Sequence, residues 1–310
     1  MYSLYKIKGV KPKEQFLKSG YLLHNRKQMM LVSLLNSLED KKYSRLKVFK
    51  IAFLLGRKID FYDFIPYRYG PYSFEMDKDL RMFNNNGWIN MQDKSIYINH
   101  DTLKALSIKA EYKEDIYGFI SKFKNVNEKN LLDFIYKDYP YYSQNSLLVK
   151  QPKVKKNTAA ISIYTIGYQN LSIDSFINTL IEKGINIVLD VRNKPLSYKY
   201  GFNYYWLNKY LPELDIKYIN IPELGIEEKY RKILSQGQLW QHYSKSLELK
   251  KNYLNKACDI LKKQPTVLMC YEMNPEHCHR LILAKRINEL INLPIINFDV
   301  EKNQWIKLDY

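Results

Sequence analysis

Cysteine is scarce in this chain, and long apolar runs are missing. Three cysteines occur among 310 residues, and this small odd number argues against a disulfide framework and for reduced thiols. No apolar segment approaches the roughly 18 to 20 residues that cross a bilayer. The first residues also lack the apolar core of a signal peptide. These absences exclude the disulfide-rich secreted and membrane-spanning classes, and they predict a cytoplasmic protein without a membrane partner.

Internal repeats and low-complexity segments are absent as well, so ordinary globular domains are expected. The hydrophobic content of 46% is that of a globular protein, and 310 residues are enough for two cores. A short basic stretch that contains a proline, residues 147–158, precedes a new strand-like run. We therefore predict a domain at residues 1–150, a linker at 151–159 and a second domain at 160–310.

The net charge of +17 lies mostly in the first half of the chain. Residues 1–158 contain 29 basic and 16 acidic residues, a net +13, and the remainder contain 20 and 16, a net +4. A basic domain rich in tyrosine suits a phosphate backbone, because cationic contacts release condensed counterions. A compositional bias toward Lys, Asn, Ile and Tyr would give the same charge without any binding. The favoured partner is nucleic acid, above all DNA, bound by the first domain.

The first domain has mainly helical periodicity. Apolar residues at i, i+3 and i+4 predict helices at residues 28–38 and 46–55. Ser73 suits the N-cap of a third helix, after which an Asn/Gly turn at 84–87 opens a strand pair that ends near residues 97–99. This order of elements predicts a mostly α, winged-helix-like domain.

Two motifs in this domain carry a family resemblance. Residues 64–73 read Phe-x-Pro-Tyr-x-Tyr-Gly-Pro-Tyr-Ser, and residues 132–143 read Leu-Asp-Phe-Ile-Tyr-Lys-Asp-Tyr-Pro-Tyr-Tyr-Ser. From about residue 28 to residue 145 the chain resembles the Panacea or SocA-like antitoxin-related family. The resemblance implies a toxin–antitoxin or phage-conflict setting, in which a partner protein is a further option. The alternative is that Tyr69, Gly70 and Pro71 only shape a turn.

Strand and helix periods alternate after residue 160. The predicted strands are residues 161–166, 185–191, 217–221 and 266–270, and the predicted helices are residues 172–183, 203–210, 252–263 and the segment after Pro275, which suits a first helical turn. Such alternation implies βαβ units, so we expect a Rossmann-like α/β domain with a mainly parallel sheet. The carboxyl ends of its strands should meet at one edge, where ligands bind in open α/β sheets.

Four strand-end motifs carry a second resemblance. They are Tyr-Thr-Ile-Gly-Tyr at 164–168, Leu-Asp-Val-Arg-Asn-Lys-Pro at 189–195, Ile-Pro-Glu-Leu-Gly at 221–225 and Cys-Tyr-Glu-x-x-Pro-Glu-His-Cys-His-Arg at 270–280. Over residues 161–299 the chain resembles the domain of unknown function 488 family. The resemblance implies a Rossmann-like fold and a pocket lined by these positions, without a settled reaction. Tyr168 and Gln169 stand where the family commonly has His and Ser, so a role that needs imidazole or hydroxyl there does not carry over.

Four side chains near these strand ends are catalytic candidates: Asp190, Glu223, Cys270 and His279. Asp190 is either a general base that also offsets a developing sugar cation, or a member of a structural ion pair with a nearby arginine. Glu223 can orient a substrate or cap a helix. Cys270 at a strand end facing a helix N-terminus is a candidate nucleophile, and the alternative is a buried core cysteine. His279 is the candidate acid–base group, because an imidazole side chain ordinarily exchanges protons near neutral pH.

Seven further residues are expected to contact substrate: Gly167, Tyr168, Arg192, Tyr271, Glu272, His277 and Arg280. Arg280 can hold a phosphate through two N–H groups, although nine residues separate it from Cys270, so the Cys-x5-Arg loop of cysteine phosphatases is absent. A zinc site in this segment is not expected, because consecutive helix positions point about 100° apart. We therefore expect neither a metal nor a cofactor.

These features favour a nucleic-acid-associated hydrolase that acts on DNA or a nucleotide component in DNA repair or defence. Base excision is one concrete form, in which a flipped base stacks on Tyr168 or Tyr271 and Asp190 or Glu223 supports the sugar cation. One alternative is a non-enzymatic DNA-binding regulator that senses a nucleotide-like ligand. The other is an antitoxin-like module that binds a partner protein through tyrosine-rich surfaces.

Overall fold

The structure is a computed structural model that describes residues 25–105, 113–148 and 156–308. These residues fall into two units, one before residue 149 and the other after residue 155. Among the described residues, no helix combines the length and the apolar character that crossing a membrane requires.

Helices supply most of the core of the first unit. They are α1 (Arg26–Ser37), α2 (Arg45–Gly56), α3 (Phe74–Asn85), α4 (His100–Ala105), α5 (Lys113–Ile120) and α6 (Glu128–Asp138). The two amphipathic segments and the segment after Ser73 were predicted as helices, and all three are confirmed. The Ser73 hydroxyl accepts a hydrogen bond from the backbone N–H of Met76, which is the predicted N-cap.

The strands of the first unit form two small antiparallel sheets. One sheet has the order β1–β5–β4, from β1 (Lys42–Ser44), β4 (Ile89–Gln92) and β5 (Ser95–Ile98). The other pairs β2 (Ile65–Tyr67) with β3 (Gly70–Tyr72) inside the tyrosine-rich motif. Gly70 has a φ of 84°, and a Cβ there would lie 2.9 Å from the Tyr136 ring. The β4–β5 pair confirms the ribbon that the Asn/Gly turn predicted.

A six-stranded sheet organises the second unit. Its strands are β6 (Ile163–Gly167), β7 (Ile187–Asp190), β8 (Lys217–Asn220), β9 (Thr266–Cys270), β10 (Ile295–Asp299) and β11 (Gln304–Leu308), in the spatial order β11–β10–β6–β9–β7–β8. All neighbours are parallel except β10 and β11. Every residue of β6, β7 and β9 is buried, as expected for central parallel strands covered on both faces. The mainly parallel α/β sheet is confirmed.

Helices connect these strands. They are α7 (Ile173–Lys183), α8 (Tyr204–Tyr210), α9 (Glu228–Ile233), α10 (Gln236–Leu249), α11 (Lys251–Lys263) and α12 (His279–Ile291). If the five parallel strands are numbered by their order in the chain, they read 3-2-4-1-5 across the sheet from β8 to β10. This order differs from the 3-2-1-4-5 arrangement of dinucleotide-binding folds, because β9 lies between β6 and β7.

One local prediction is corrected by the structure. Pro275 begins a separate 3-10 turn, Pro275–His277, and α12 starts only at His279 after an extended Cys278. Part of the predicted linker, residues 151–155, lies outside the described residues. The remaining part packs on the end of α7, where the side-chain amide of Asn157 donates to the Glu182 carbonyl and the backbone N–H of Ala159 donates to the Gly184 carbonyl.

Candidate active site at the carboxyl edge of the parallel sheet

A pocket of about 510 Å³ opens at the carboxyl ends of β6, β7 and β9. Six of the predicted site residues line this pocket. Tyr168, Arg192, Cys270, Tyr271 and Glu272 follow or end the strands, and His279 is the first residue of α12. The sheet register explains this convergence, because Gly167 is paired with Cys270 and Asp190 with Met269 in parallel neighbours.

The floor of the pocket is lined by one thiol, one carboxylate and one imidazole, and a second thiol, that of Cys278, lies beside them outside the lining. The Cys270 and Cys278 thiols donate hydrogen bonds to Glu272 Oε2 at 3.2 and 2.9 Å. Nδ1 of His279 lies 3.7 Å from the Cys270 sulfur and 4.0 Å from the Cys278 sulfur. Cys270, Glu272, Cys278 and His279 are called the thiol–carboxylate–imidazole cluster below.

The local backbone explains how Cys278 and His279 face the same point. Cys278 has extended φ and ψ of −131° and 135° and precedes α12, whereas His279 is the first helical residue. The expectation that these neighbours point about 100° apart assumed consecutive helical positions, and it is therefore wrong for this pair. The ligand atoms of the four cluster residues all lie within 4.8 Å of one another. His277 belongs to the 3-10 turn, is exposed and does not join them.

The His279 ring is held from two sides. Its Nε2 atom lies 3.0 Å from the carbonyl oxygen of Val191, and its plane meets the Tyr243 ring edge-to-face. A carbonyl can only accept, so Nε2 carries a proton in this contact. In the neutral imidazole, Nδ1 then presents its lone pair to the two sulfur atoms.

Burial shapes the ionisation of the cluster. It raises the pKa of the Cys270 thiol well above its usual value, and it also raises the pKa of the Glu272 carboxyl. Burial acts in the same direction on Cys278, but hydrogen bonding to Cys270 and His279 and the charge of Arg280 outweigh it and lower the pKa of that thiol.

Asp190 is enclosed in an ion pair behind the pocket wall. Arg192 donates to its carboxylate from the backbone N–H, from Nε and from NH2, the last at 2.6 Å. The Tyr218 hydroxyl donates to the same carboxylate at 2.6 Å. Asp190 is fully buried and does not line the pocket. Of the two interpretations of Asp190, the structure contains the ion pair, and the carboxylate is not placed to reach a substrate.

Tyr168 is also part of the wall rather than a free stacking surface. Its ring stacks on Phe202 with centroids 4.2 Å apart, and its hydroxyl accepts a hydrogen bond from Arg192. Burial raises the pKa of Tyr168. Tyr271 is different, because it is 45% exposed and meets Tyr168 only edge-to-face. Tyr271 is therefore the better placed of the two to stack on a base.

Gly167 and Arg280 hold the loop that carries Glu272. A Cβ on Gly167 would lie 1.7 Å from the Glu272 carbonyl oxygen, so only glycine allows this approach. The Arg280 guanidinium donates to the carbonyl oxygens of Glu272 and Met273. Arg280 is fully buried and outside the pocket lining, so its N–H groups bind the loop and are not presented to a phosphate. Glu223, half-buried in the 3-10 turn Pro222–Leu224, lies outside the lining as well.

The rim of the pocket contains residues that the sequence analysis did not select. They come from the segment after β7 and from α9, and include Lys194, Ser197, Tyr198, Lys199, Glu228 and Arg231. Arg231 NH1 lies 3.5 Å from Glu272 Oε1. The signal for the first part of this rim was the basic and aromatic run that follows Pro195. No comparable signal marked α9, because none of its residues is buried.

Comparison with known proteins gives one match. Residues 172–287 match the model of the family described as Domain of unknown function DUF488. No curated protein and no solved structure matches the chain. The DUF488 match lies within the second unit, so the resemblance of the first unit to the Panacea or SocA-like family stays a prediction. The matched segment runs from Ser172 at the start of α7 into α12 and contains the whole thiol–carboxylate–imidazole cluster. The second unit is therefore similar over these residues to the DUF488 family, in agreement with the resemblance drawn from its strand-end motifs.

Proposed function

We propose that the protein is a nucleic-acid-associated hydrolase whose second unit receives a nucleotide component in the pocket. The observation that carries the proposal is the convergence of Cys270, Glu272 and His279 at the floor of a pocket with a basic and aromatic rim. A volume of about 510 Å³ is within the range of small-ligand sites. If the second unit is Rossmann-like, its ligand is expected at the carboxyl ends of the strands, which is where this pocket lies.

The rim provides contacts for both parts of a nucleotide. Lys194, Lys199 and Arg231 bring positive charge to the opening, balanced in part by Glu228, which pairs with Lys194 at 2.9 Å. Positive charge near the opening attracts phosphate. Tyr271 offers an exposed ring beside the cluster, which is the arrangement that stacks on a flipped or unpaired base.

The reacting groups in this proposal are Glu272 and His279. A water held between the Glu272 carboxylate and the His279 imidazole would lose its proton to one of them and attack the bound substrate. In the base-excision form, Glu272 replaces Asp190 and Glu223 as the carboxylate that offsets charge on the sugar, because it lines the pocket and they do not. Cys270 lines the same floor and is the alternative attacking group, although burial raises the pKa of its thiol, so its attack requires transfer of the thiol proton to Glu272 or His279.

The first unit is proposed to bind the nucleic acid. A winged-helix-like interpretation assigns α3 to the groove and the β4–β5 ribbon to the wing. This unit also has a pocket of about 510 Å³ with cationic and aromatic lining, including Arg45, Arg68, Lys94, Tyr67, Tyr69 and Tyr72. Cations interleaved with aromatic rings suit single-stranded or unpaired nucleotides. An antitoxin-like resemblance in this unit supports a role in defence.

The function is tested with the full chain on a substrate panel. Single-stranded DNA, duplex DNA with normal or modified bases, RNA and free nucleotides are incubated with the wild type, and the products are identified by mass spectrometry. We expect hydrolysis products or released base from at least one class, and a loss of at least a hundredfold in rate for Glu272→Gln and His279→Gln. The matched control is Cys258→Ser, which changes the cysteine outside the cluster.

Two results would count against this function. Absence of product from every class removes the hydrolase, and salt-independent or undetectable DNA binding removes the nucleic-acid partner. Stoichiometric copurification of a protein together with both negative results would favour the antitoxin-like module. Tight nucleotide binding without turnover would favour the ligand-sensing regulator.

A further inference from the structure

We propose that the thiol–carboxylate–imidazole cluster is a binding site for a thiophilic divalent cation, with Zn²⁺ as the best fit. The ligands are the sulfur atoms of Cys270 and Cys278, Nδ1 of His279 and Oε2 of Glu272. This inference goes beyond the proposed hydrolase and does not depend on it, because a cation would also fit a site that only binds ligands. With a cation bound, Nδ1 of His279 would be a ligand and not a proton acceptor, so the Glu272 carboxylate would be the group left to accept a proton from water. It reverses the expectation of a metal-free protein.

The sulfur-to-nitrogen distances within the cluster are close to those of a tetrahedral centre. Zinc lies about 2.3 Å from sulfur and about 2.0–2.1 Å from imidazole nitrogen, so tetrahedral neighbours are about 3.5–3.8 Å apart. The two sulfur-to-Nδ1 distances are 3.7 and 4.0 Å. The two sulfur-to-oxygen distances, 3.2 and 2.9 Å, are shorter. Glu272 is a half-buried residue of the loop after β9, and a small outward rotation of its carboxylate would open the required space.

The surroundings of the ligands support the same conclusion. The Val191 carbonyl accepts from Nε2 of His279 at 3.0 Å, which leaves the lone pair of Nδ1 directed at the sulfur atoms. A carbonyl partner on the far nitrogen is the usual arrangement of a metal-binding histidine. Arg280 fixes the backbone carbonyl of Glu272, and Arg231 lies near the second oxygen of its carboxylate. The site is therefore built in advance rather than assembled from mobile side chains.

The donor set decides which cation fits. Two sulfurs, one imidazole nitrogen and one carboxylate oxygen suit Zn²⁺ and other thiophilic ions, whereas Mg²⁺ and Ca²⁺ take oxygen ligands in six or more positions. Cys270, Glu272 and His279 also line the pocket, so the cation would lie at its floor. Glu272 is the ligand most able to give way to a water molecule or substrate, because it is the least buried of the four.

The test measures metal binding directly and does not use activity. The full chain is purified under a phosphine reductant, stripped with a chelator and titrated with Co²⁺ and Zn²⁺. We expect one equivalent of Co²⁺ with thiolate-to-cobalt charge-transfer bands and the intense visible absorption of a tetrahedral site. Zn²⁺ should displace it, and competition with a chromogenic chelator gives the affinity.

Variants separate this site from adventitious binding. Cys270→Ser, Cys278→Ser and His279→Gln are each expected to weaken Zn²⁺ binding at least tenfold and to reduce the charge-transfer bands, whereas Cys258→Ser should leave both unchanged. His279→Gln keeps an N–H for the Val191 carbonyl, so it serves if the serine variants do not fold, and circular dichroism of each stripped variant monitors folding. Wild type that takes up no Co²⁺ through thiolate, or an equal loss in Cys258→Ser, would overturn the proposal.

Discussion

Lys50 offers a sharp test of the electrostatics of the first unit. It lies in α2, is only 2% exposed, and its ammonium group donates to the Pro71 carbonyl at 3.1 Å. Burial lowers the pKa of Lys50 to about 7, and the charge of Glu128 acts weakly in the opposite direction. The perturbation is Lys50→Met, which keeps a long unbranched side chain and removes the titrating group.

The sign and size of the pH effect on stability follow from the pKa values of Lys50 in the unfolded and the folded chain. The unfolded chain holds the proton up to a pKa of about 10.5, whereas the folded chain releases it near 7. The folded state is therefore penalised below pH 7 by about 5 kcal/mol, and the penalty fades as the pH rises toward 10.5. From pH 7 to pH 9 the wild type should gain about 2 kcal/mol relative to the variant. The variant loses one hydrogen bond to the Pro71 carbonyl at every pH, which costs about 1–3 kcal/mol.

Hydrogen exchange of the α2 amides measures this unit separately from the other. At each pH the exchange rate of the variant is divided by that of the wild type. This ratio should rise about thirtyfold between pH 7 and pH 9, because the wild type gains stability relative to the variant. Lys58→Met, at an exposed position just after α2, is the matched control and should show no trend. A stability difference that stays constant across this range would refute a neutral Lys50 in the folded protein.

Three further predictions concern the second unit. Asp190→Asn should lower the free energy of unfolding in urea by about 3–5 kcal/mol, since it leaves the Arg192 charge buried without its partner, and a loss below about 1 kcal/mol would contradict the ion-pair interpretation. Tyr218→Phe removes one hydrogen bond to that carboxylate and should cost about 2 kcal/mol in the same assay; an unchanged midpoint would count against the contact. Gly167→Ala should cost about 1–3 kcal/mol and weaken Zn²⁺ binding, because its Cβ displaces the Glu272 carbonyl; wild-type stability and binding would show that the loop tolerates the methyl group.

The sequence predicted the elements that have strong periodicity. Helices α1, α2, α7 and α11 bury apolar residues at helical spacing, and β9 is a continuous apolar run, so pattern alone located them. The two helices before α11 were missed. Among their residues only Leu239, Tyr243 and Leu247 are buried, because one narrow face of α10 meets the core. A narrow stripe in a polar segment gives too weak a signal for assignment.

The candidate site was predicted in outline but not in its pairings. A parallel sheet requires its carboxyl ends to share an edge, so the meeting of Cys270 with Gly167 followed from topology. The hydrogen-bond partners of Arg192 and Arg280 could not be predicted from topology, because each motif contains several possible acceptors. Arg280 donates to the backbone carbonyls two and three residues past β9, which no side-chain pattern indicates. Cys278 faces the cluster because helix α12 begins at His279, four residues later than expected from Pro275, and Cys278 before it is extended.

The buried arginines determine which groups remain for chemistry. Arg192 is matched by the Asp190 carboxylate, and Arg280 is held by loop carbonyls, so neither guanidinium is presented to the pocket as a free anion-binding group. In the described part of the chain, the acidic and nucleophilic groups at the pocket floor are then Cys270 and Glu272, with Cys278 behind them. A buried carboxylate beside two thiols is stabilised by added positive charge. A cation bound by the thiols and His279 would supply that charge at the carboxyl edge of the sheet, where the pocket opens.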